Sequence, residues 1–247
     1  MPFWKFIKNK ATETTEEFVE LRIEGDIVDD EDIWIYEWFG EDATAPNAFK
    51  EELNEYKGHD LTVWIDSYGG SVFAGASIYN ALKEHDGKIT VKIDGKAMSA
   101  ASVIAMAGDE ILMSPVALMM IHNPLTFSYG DMHDLRKTAD VLDEVKETII
   151  NAYTLKTGLS RDVISSMMDD ETYMSATTAI KNNFADETLY QEESMFVDEV
   201  ANNFNFNRLA IVNNANQSVR KAVELFGKLK EKPNNEKEKL LMELDLI

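Results

Sequence analysis

The chain has 247 residues, of which 45% are hydrophobic, so it is long enough for one domain with a substantial core and an appendage. It contains no cysteine, which excludes disulfide bonds, thiolate catalysis and cysteine-ligated metal centres. Its net charge of −21 argues against binding to a nucleic-acid backbone or an anionic membrane surface, and we interpret this charge as a solvated face. Because we find neither a signal-peptide core nor an uncharged run of membrane-spanning length, we expect a soluble, unexported, cytoplasmic protein.

The first half of the chain alternates strand patterns with helix patterns. Residues 17–28 alternate apolar and polar side chains, as a half-buried strand does, and the acidic, aromatic stretch that follows predicts a helix. Residues 61–66 predict a short strand that ends in the glycine turn SYGGS, and residues 74–85 predict a helix. Residues 88–95 repeat the strand pattern, and residues 97–108 predict a helix of small residues.

Two further apolar runs, EILMS and VALMMIH (116–122), predict strands. Strands that alternate with helices at this spacing imply right-handed βαβ crossovers and an α/β fold with a largely parallel sheet. From Asp131 to about Lys156, apolar residues recur at helical spacing without Gly or Pro, which predicts a long amphipathic helix. A shorter helix through Met168, a strand-like turn and a last helix are predicted to follow.

The composition changes near residue 190. Residues 191–247 are rich in asparagine and then in charged residues, and Pro233 interrupts them. We therefore predict a folded domain over residues 1–190 and a partly helical or disordered tail over residues 191–247.

One histidine stands apart from the others. His59, His85 and His133 stand among charged residues and glycine, where exposed positions are expected. His122 instead ends an apolar run and precedes Asn-Pro, and α/β proteins place reactive groups where buried strands emerge. No second His or Cys lies at ligand spacing from His122, so we predict no metal site, and we expect no cofactor.

Ser99 has the setting of a nucleophile. It follows a predicted strand and begins a predicted helix, where free backbone N–H groups can stabilise an oxyanion. This is the logic of the strand–turn–helix nucleophile elbow, although the string GxSxG is absent. A helix cap or a small packing residue is the alternative for Ser99. Ser102, about one helical turn further on, is the competing serine, and close helix packing explains it better.

Backbone donors and an acid are also needed. Glycine lets a backbone N–H approach a ligand closely, so the N–H groups of Gly70 and Ala100 would form an oxyanion hole, although an ordinary turn is the alternative for the glycines. The acids just before a predicted buried segment are candidates for orienting the histidine: Asp169, Asp170 and Glu171. Spacing alone does not choose among these three acids.

Taken together, these blocks resemble the ClpP family of serine peptidases over roughly residues 20–190. VWIDSYGGSVFAGASIYNAL is similar to the family's strand, Gly-Gly turn and helix, and GKAMSAASVIAMAG is similar to its nucleophile block, which favours Ser99 over Ser102. MMIHNPL resembles the segment with the catalytic histidine, and MDDETYMSATTAIKNNFADE resembles the segment with the acid. Four blocks in the right order form a specific signal.

The resemblance implies a ClpP/crotonase-type spiral of βαβ units, with the 131–156 helix as a projecting element through which rings pair. It implies catalysis by Ser99 and His122 with Glu171 as the third member, because Tyr173 takes the position of a phenylalanine that lies two residues after the family's aspartate. Asp170 is the second choice for this acid. The wording SAAS…IAMAG, the ETY block and the C-terminal tail resemble the prophage branch, whose members trim capsid or scaffold proteins during head assembly.

We therefore expect an ATP-independent serine endopeptidase that processes phage capsid or scaffold proteins in the host cytoplasm or the assembling prohead, as a homo-oligomeric ring. A crotonase-like acyl-CoA enzyme and a non-catalytic assembly scaffold are the alternatives. The sequence has no ATP-binding P-loop, so any ATP-driven unfoldase that acts with this protein is a separate chain.

Overall fold

A computed structural model describes residues 7–9, 18–40 and 43–190 of the chain. Its strands are β1 (Ile7–Asn9), β2 (Phe18–Ile27), β3 (Ala43–Thr44), β4 (Leu61–Gly70), β5 (Ile89–Met98), β6 (Glu110–Met113), β7 (Leu118–Ile121), β8 (Thr172–Ser175) and β9 (Glu187–Thr188). Its helices are α1 (Ile33–Phe39), α2 (Pro46–Glu55), α3 (Val72–Lys83), α4 (Ala100–Ala105), α5 (Met132–Thr157), α6 (Arg161–Asp169) and α7 (Ala176–Lys181). The tail predicted over residues 191–247 lies outside the described residues.

Within the described ranges, the strands form one sheet with the order β1-β2-β4-β5-β6-β9. Strand β3 pairs with β2, while β7 pairs with both β5 and β8. The β1–β2 and β7–β8 pairs are antiparallel, and the other pairs are parallel. The predicted α/β fold with a largely parallel sheet is therefore confirmed. No helix of the described residues combines the length and apolarity needed to cross a membrane.

Alternation along the central strands gives the sheet two different faces. Val63 of β4 stands opposite Leu21 of β2 and Val91 of β5, and all three side chains are fully buried. Full burial of such a side chain contributes about 1.5–3 kcal/mol to stability. Arg22 and Trp64, on the other face, are half-buried, and the guanidinium carbon lies 5.3 Å from the ring centroid. One face therefore forms the core with α3 and α4, and the other carries polar groups.

Strands β4 and β5 run further than the sequence patterns predict. The turn predicted at residues 69–70 is wrong, because these residues continue β4 in parallel register with β2. The helix predicted over residues 97–108 is wrong at its start, because residues 97–98 pair with β7 and end β5. Helix α4 begins only at Ala100, so Ser99 forms the junction between strand and helix.

Helix α5 is the long helix that the sequence predicts. The Asp131 side chain caps its first turn in a reciprocal capping box, and Gly158, with φ at 72°, ends it. Its C-terminal half contributes buried residues such as Tyr153 to the core, whereas Leu135 and Val141 in the N-terminal half are 47% and 51% exposed. The N-terminal half of α5 therefore presents uncovered apolar surface.

Candidate active site

Ser99 has a strained backbone whose two polar groups are both hydrogen-bonded. Its φ of 52° and ψ of −125° lie outside the regions that residues with a Cβ prefer. Its N–H donates to the carbonyl of Met120 at 2.9 Å, and its carbonyl accepts from the N–H of Ser102 at 3.0 Å. A strained strand-to-helix turn of this kind is typical of a nucleophile elbow, because it projects the side chain away from both elements.

The Ser99 hydroxyl lies 2.8 Å from Nε2 of His122. Although Ser99 occupies the N-cap position of α4, its side chain makes no capping bond, so the structure does not favour the helix-cap alternative. His122 directly follows β7, and Met120 of β7 pairs with Met98 of β5. Parallel neighbouring strands therefore bring the serine and the histidine together, at a distance over which an imidazole can take a hydroxyl proton.

The other histidines lie in different surroundings. His133 is exposed, as expected, but His59 and His85 are half-buried. Their burial follows from a contact between their two loops, in which Nε2 of His85 lies 2.7 Å from the carbonyl oxygen of His59. Among the residues that the structure describes, no group of three or more His, Asp and Glu side chains could hold a metal ion.

Glu171 and His122 adjoin the same end of the β7–β8 strand pair. Ile121 of β7 pairs with Thr172 of the antiparallel strand β8. His122 directly follows Ile121 and Glu171 directly precedes Thr172, so both stand one residue beyond this last pair, where Glu171 has a φ of 50° and β8 has not yet begun; both side chains are half-buried. The hydroxyl of Tyr173 donates to Oε1 of Glu171 at 2.8 Å and so restrains the carboxylate. Of the three candidate acids, Glu171 is therefore the one adjacent to the β7–β8 pair that His122 follows.

The two neighbouring aspartates have other surroundings. Asp170 is the exposed C-cap of α6. The Asp169 carboxylate accepts from Nδ2 of Asn123 at 2.8 Å and from Nζ of Lys146 at 2.6 Å. The Asn123 amide and, after it, the Lys146 ammonium lower the pKa of Asp169, because both donors favour the ionised carboxylate. Asp169 therefore links α5 to the segment that follows β7.

Two glycines bring the end of β4 against the Ser99 junction. A Cβ added to Gly69 would lie 2.8 Å from the Ser99 Cβ and 2.9 Å from the Ala100 nitrogen. A Cβ added to Gly70 would lie 2.0 Å from the Ile27 carbonyl oxygen. With φ at 98° and 148°, both positions also have backbone angles that suit glycine. The backbone beside the predicted oxyanion donors, Gly70 and Ala100, is therefore too closely packed for a side chain at residues 69 and 70.

Residues 48–192 match the Clp protease family, which is more than half of the chain. The chain belongs to this family. The matched segment includes Ser99, His122 and Glu171, together with the glycine pair and Ala100. All four sequence blocks that resemble ClpP thus lie within the matched residues.

Three relatives in the Clp protease family are ATP-dependent Clp protease proteolytic subunits. The Bacteroides fragilis subunit is 30% identical over 137 residues, which cover 55% of this chain and 66% of the relative. The Deinococcus radiodurans subunit is 28% identical over 134 residues, covering 53% and 66%, and subunit 1 of Chlamydia muridarum is 32% identical over 137 residues, covering 54% and 71%. The chain therefore spans just under two thirds of the length of the first two relatives.

A small cavity adjoins the Ser99–His122 pair of this Clp protease family member, and a larger groove lies beside that cavity. A cavity of about 20 Å³, enough for about one water molecule, touches both residues. Its other lining residues are mainly apolar: Val72, Ala100, Val103, Pro124, Ile149 and Tyr153. A groove of about 740 Å³ shares Val72 and Pro124 with this cavity and continues between residues 70–73, residues 124–129 and α5. The groove therefore lies next to the cavity that touches Ser99.

Proposed function

We propose that the chain is a serine endopeptidase of the ClpP type, with Ser99 as the nucleophile and His122 as the general base. The observation that carries this proposal is the 2.8 Å contact between the Ser99 hydroxyl and Nε2 of His122. A serine hydroxyl is a weak nucleophile until a neighbouring base removes its proton. The strained Ser99 backbone and the absence of a capping bond support the same role, because they leave the hydroxyl directed at the histidine.

The proposed reaction is acyl transfer in two steps. Oγ of Ser99 bonds to the peptide carbonyl carbon while Nε2 of His122 takes its proton, and the N–H groups of Gly70 and Ala100 donate to the oxyanion. The C–N bond then breaks, and the leaving amine takes the proton from His122. Water then bonds to the ester carbon while it loses a proton to Nε2 of His122. The ester C–O bond breaks, His122 returns the proton to Oγ of Ser99, and the carboxylic acid leaves.

Glu171 is proposed to orient His122. A carboxylate beside the imidazole holds the tautomer that leaves Nε2 free to accept the serine proton, and it balances the imidazolium charge. The β7–β8 register and the Tyr173 hydroxyl bond support Glu171 in this role. Asp170 remains the second choice.

The groove supports an extended, mainly apolar peptide as the substrate. Its apolar lining includes Phe73, Leu125, Tyr129, Val141, Leu142 and Val145. We propose that the peptide lies along this groove and that the cavity beside Ser99 receives a small side chain from the residue whose carbonyl is attacked. Apolar walls with a few polar groups are typical of sites that bind by burying surface.

We further propose that the natural substrate is a phage capsid or scaffold protein, cleaved without ATP in the host cytoplasm or the assembling prohead. The resemblance of SAAS…IAMAG and of the ETY block to the prophage branch supports this proposal.

We propose a homo-oligomeric ring as the assembly, because the N-terminal half of α5 exposes apolar side chains. The folded domain is proposed to end near residue 190, with residues 191–247 as an appendage.

Labelling with a fluorophosphonate tests the nucleophile, because this probe reacts with activated serines. We expect the wild-type protein to be labelled and Ser99→Ala to be unlabelled, while Ser166→Ala, which alters an exposed serine of α6, is labelled like the wild type. A wild-type protein that is not labelled would refute the peptidase and favour a non-catalytic scaffold. Hydrolysis of a CoA thioester that persists in Ser99→Ala would instead favour a crotonase-like enzyme.

Co-expression with the capsid protein of the same prophage tests the substrate. Mass spectrometry should detect capsid fragments with defined ends, and these fragments should be absent with Ser99→Ala. Equal fragmentation with both proteins would refute capsid processing while leaving the peptidase assignment to the labelling result.

A further inference from the structure

Two buried hydroxyl groups connect α5 to the backbone of Ser99. Oγ of Ser102 donates to the Ser99 carbonyl at 2.6 Å and lies 2.8 Å from the hydroxyl oxygen of Tyr153. The serine side chain has a single proton, and a carbonyl oxygen can only accept. The proton between the two side chains must therefore come from Tyr153, so the chain of donors runs from Tyr153 through Ser102 to the Ser99 carbonyl.

Both side chains are held firmly in this arrangement. Ser102 and Tyr153 have exposed fractions of 0% and 1%. The Tyr153 ring packs against the ring of Phe184 at a centroid distance of 5.6 Å. Burial also raises the pKa of the Tyr153 hydroxyl, which therefore keeps the proton that it donates. A buried hydroxyl destabilises a core unless it is hydrogen-bonded, and each of these two satisfies the other.

The Ser99 carbonyl, which accepts the last of these hydrogen bonds, belongs to a peptide group that also carries an N–H donor. The Ser99 carbonyl and the Ala100 N–H lie in one planar trans peptide, in which the C=O and N–H bonds point in opposite directions. Fixing the direction of the carbonyl therefore fixes the direction of the Ala100 N–H. Hydrogen bonds to the carbonyl also polarise the peptide and strengthen the donor at its other end.

We propose that Ser102 and Tyr153 are positioning residues that orient the Ser99–Ala100 peptide group, and with it the oxyanion donor of Ala100. This inference rests on the proposed function, in which Ser99 is the nucleophile. The proposal explains why Ser102, the second serine of SAAS, carries a hydroxyl, since helix packing alone requires only a small side chain there. Because the oxyanion exists only in the transition state and the intermediate, the pair should affect turnover and not substrate binding.

Ser102→Ala and Tyr153→Phe test this proposal in a peptidase assay with a fluorogenic peptide. We expect kcat to fall about tenfold in each variant with KM unchanged, which is less than the loss of a whole oxyanion donor. The affinity for a peptide aldehyde, which forms a tetrahedral adduct with the serine, should fall by the same factor. The pH profile of kcat/KM should keep its midpoint, because the pair is proposed to act on the Ser99–Ala100 peptide group and not on the imidazole of His122.

A double variant and two matched controls separate positioning from general loss of stability. Ser102→Ala combined with Tyr153→Phe should lose no more than Ser102→Ala alone, because Tyr153 acts through Ser102. Ser114→Ala removes a buried hydroxyl, and Tyr79→Phe removes the hydroxyl of a half-buried tyrosine; both should keep the wild-type kcat. Tyr153→Phe retains the ring in the core, so it provides a folded variant even if Ser102→Ala is unstable.

Three results would overturn the inference. The first is a kcat in Ser102→Ala and Tyr153→Phe that equals that of the two controls, and the second is a raised KM at unchanged kcat. In both cases the wild-type activity and its loss in Ser99→Ala would leave the proposed function standing. The third is a wild-type protein without any activity or labelling, which would refute the proposed function and the positioning role together.

Discussion

Gly69→Ala adds one methyl group at the closest approach of β4 to the Ser99 junction. The new Cβ would lie 2.6 Å from the Met98 carbonyl oxygen and 2.8 Å from the Ser99 Cβ, well inside the contact distance of about 3.5 Å. An alanine at a φ of 98° is strained by about 1–2 kcal/mol, and overpacking adds about 1–3 kcal/mol. The free energy of unfolding should therefore fall by about 2–5 kcal/mol.

Thermal unfolding and fluorophosphonate labelling measure the two effects of Gly69→Ala. We expect the Tm to fall by about 5–15 °C and the labelling rate to fall by about 10- to 100-fold, because the methyl group displaces Ser99 from His122. Gly58→Ala is the matched control, since Gly58 has a φ of 81° with nothing within 4 Å of an added Cβ. Gly58→Ala should lower the Tm slightly and keep the labelling rate. Equal Tm values and full labelling in both variants would contradict the close contact at Gly69.

Three further changes test other parts of the structure. Glu171→Gln should slow peptide cleavage by about 10²- to 10⁴-fold, because an amide cannot balance the imidazolium charge. Asp170→Asn should leave the cleavage rate nearly unchanged. The opposite pattern would make Asp170 the orienting acid. Asp169→Asn should lower the urea midpoint of unfolding at neutral pH, because the Asp169 carboxyl stabilises the fold only while it is ionised. The difference in midpoint between wild type and variant should vanish as the pH falls below 3.8 and through the lowered pKa of the native carboxyl. A difference that persists in acid would exclude this explanation. Leu135→Lys should reduce the mass of the assembly in native mass spectrometry. Val116→Lys, at a loop position that is 88% exposed, should leave that mass unchanged. An unchanged mass in Leu135→Lys would place the interface away from α5.

The central strands and long helices could be predicted because one sequence period covers each of them. Residues 17–28 alternate in polarity, and β2 buries alternate side chains as that pattern requires. Strands of two or three residues, such as β1, β3 and β9, have no period to detect, and they form where a neighbouring strand offers backbone partners. Backbone pairing also explains why the predicted helix start at residue 97 is wrong: residues 97–98 pair with β7 and so belong to a strand.

The candidate site could be predicted only in part. The end of an apolar run distinguishes His122 from the other histidines. Both serines stand near the start of one small-residue helix, so local sequence offers only a packing argument against Ser102, and it is the resemblance to the family's nucleophile block that favours Ser99. In the structure, β7 lies beside β5, and this brings His122, which follows β7, into contact with Ser99, which follows β5. Tyr153 was not predicted to join the site, since its position on an apolar stripe is typical of a core residue and its hydrogen-bond partner is 51 residues away in the chain.

Strand β7 pairs with β5, which leads into Ser99, and with β8, which follows Glu171. Side chains alternate between the faces of a sheet, so one residue inserted into β7 would turn His122 to the opposite face. The lengths of these short strands are therefore far more constrained than their composition. The exposed loop over residues 125–130 borders the groove outside this constraint. Changes in the length of that loop offer a route by which related proteins, or engineered variants, can acquire new cleavage preferences while the spacing of the reacting groups is preserved.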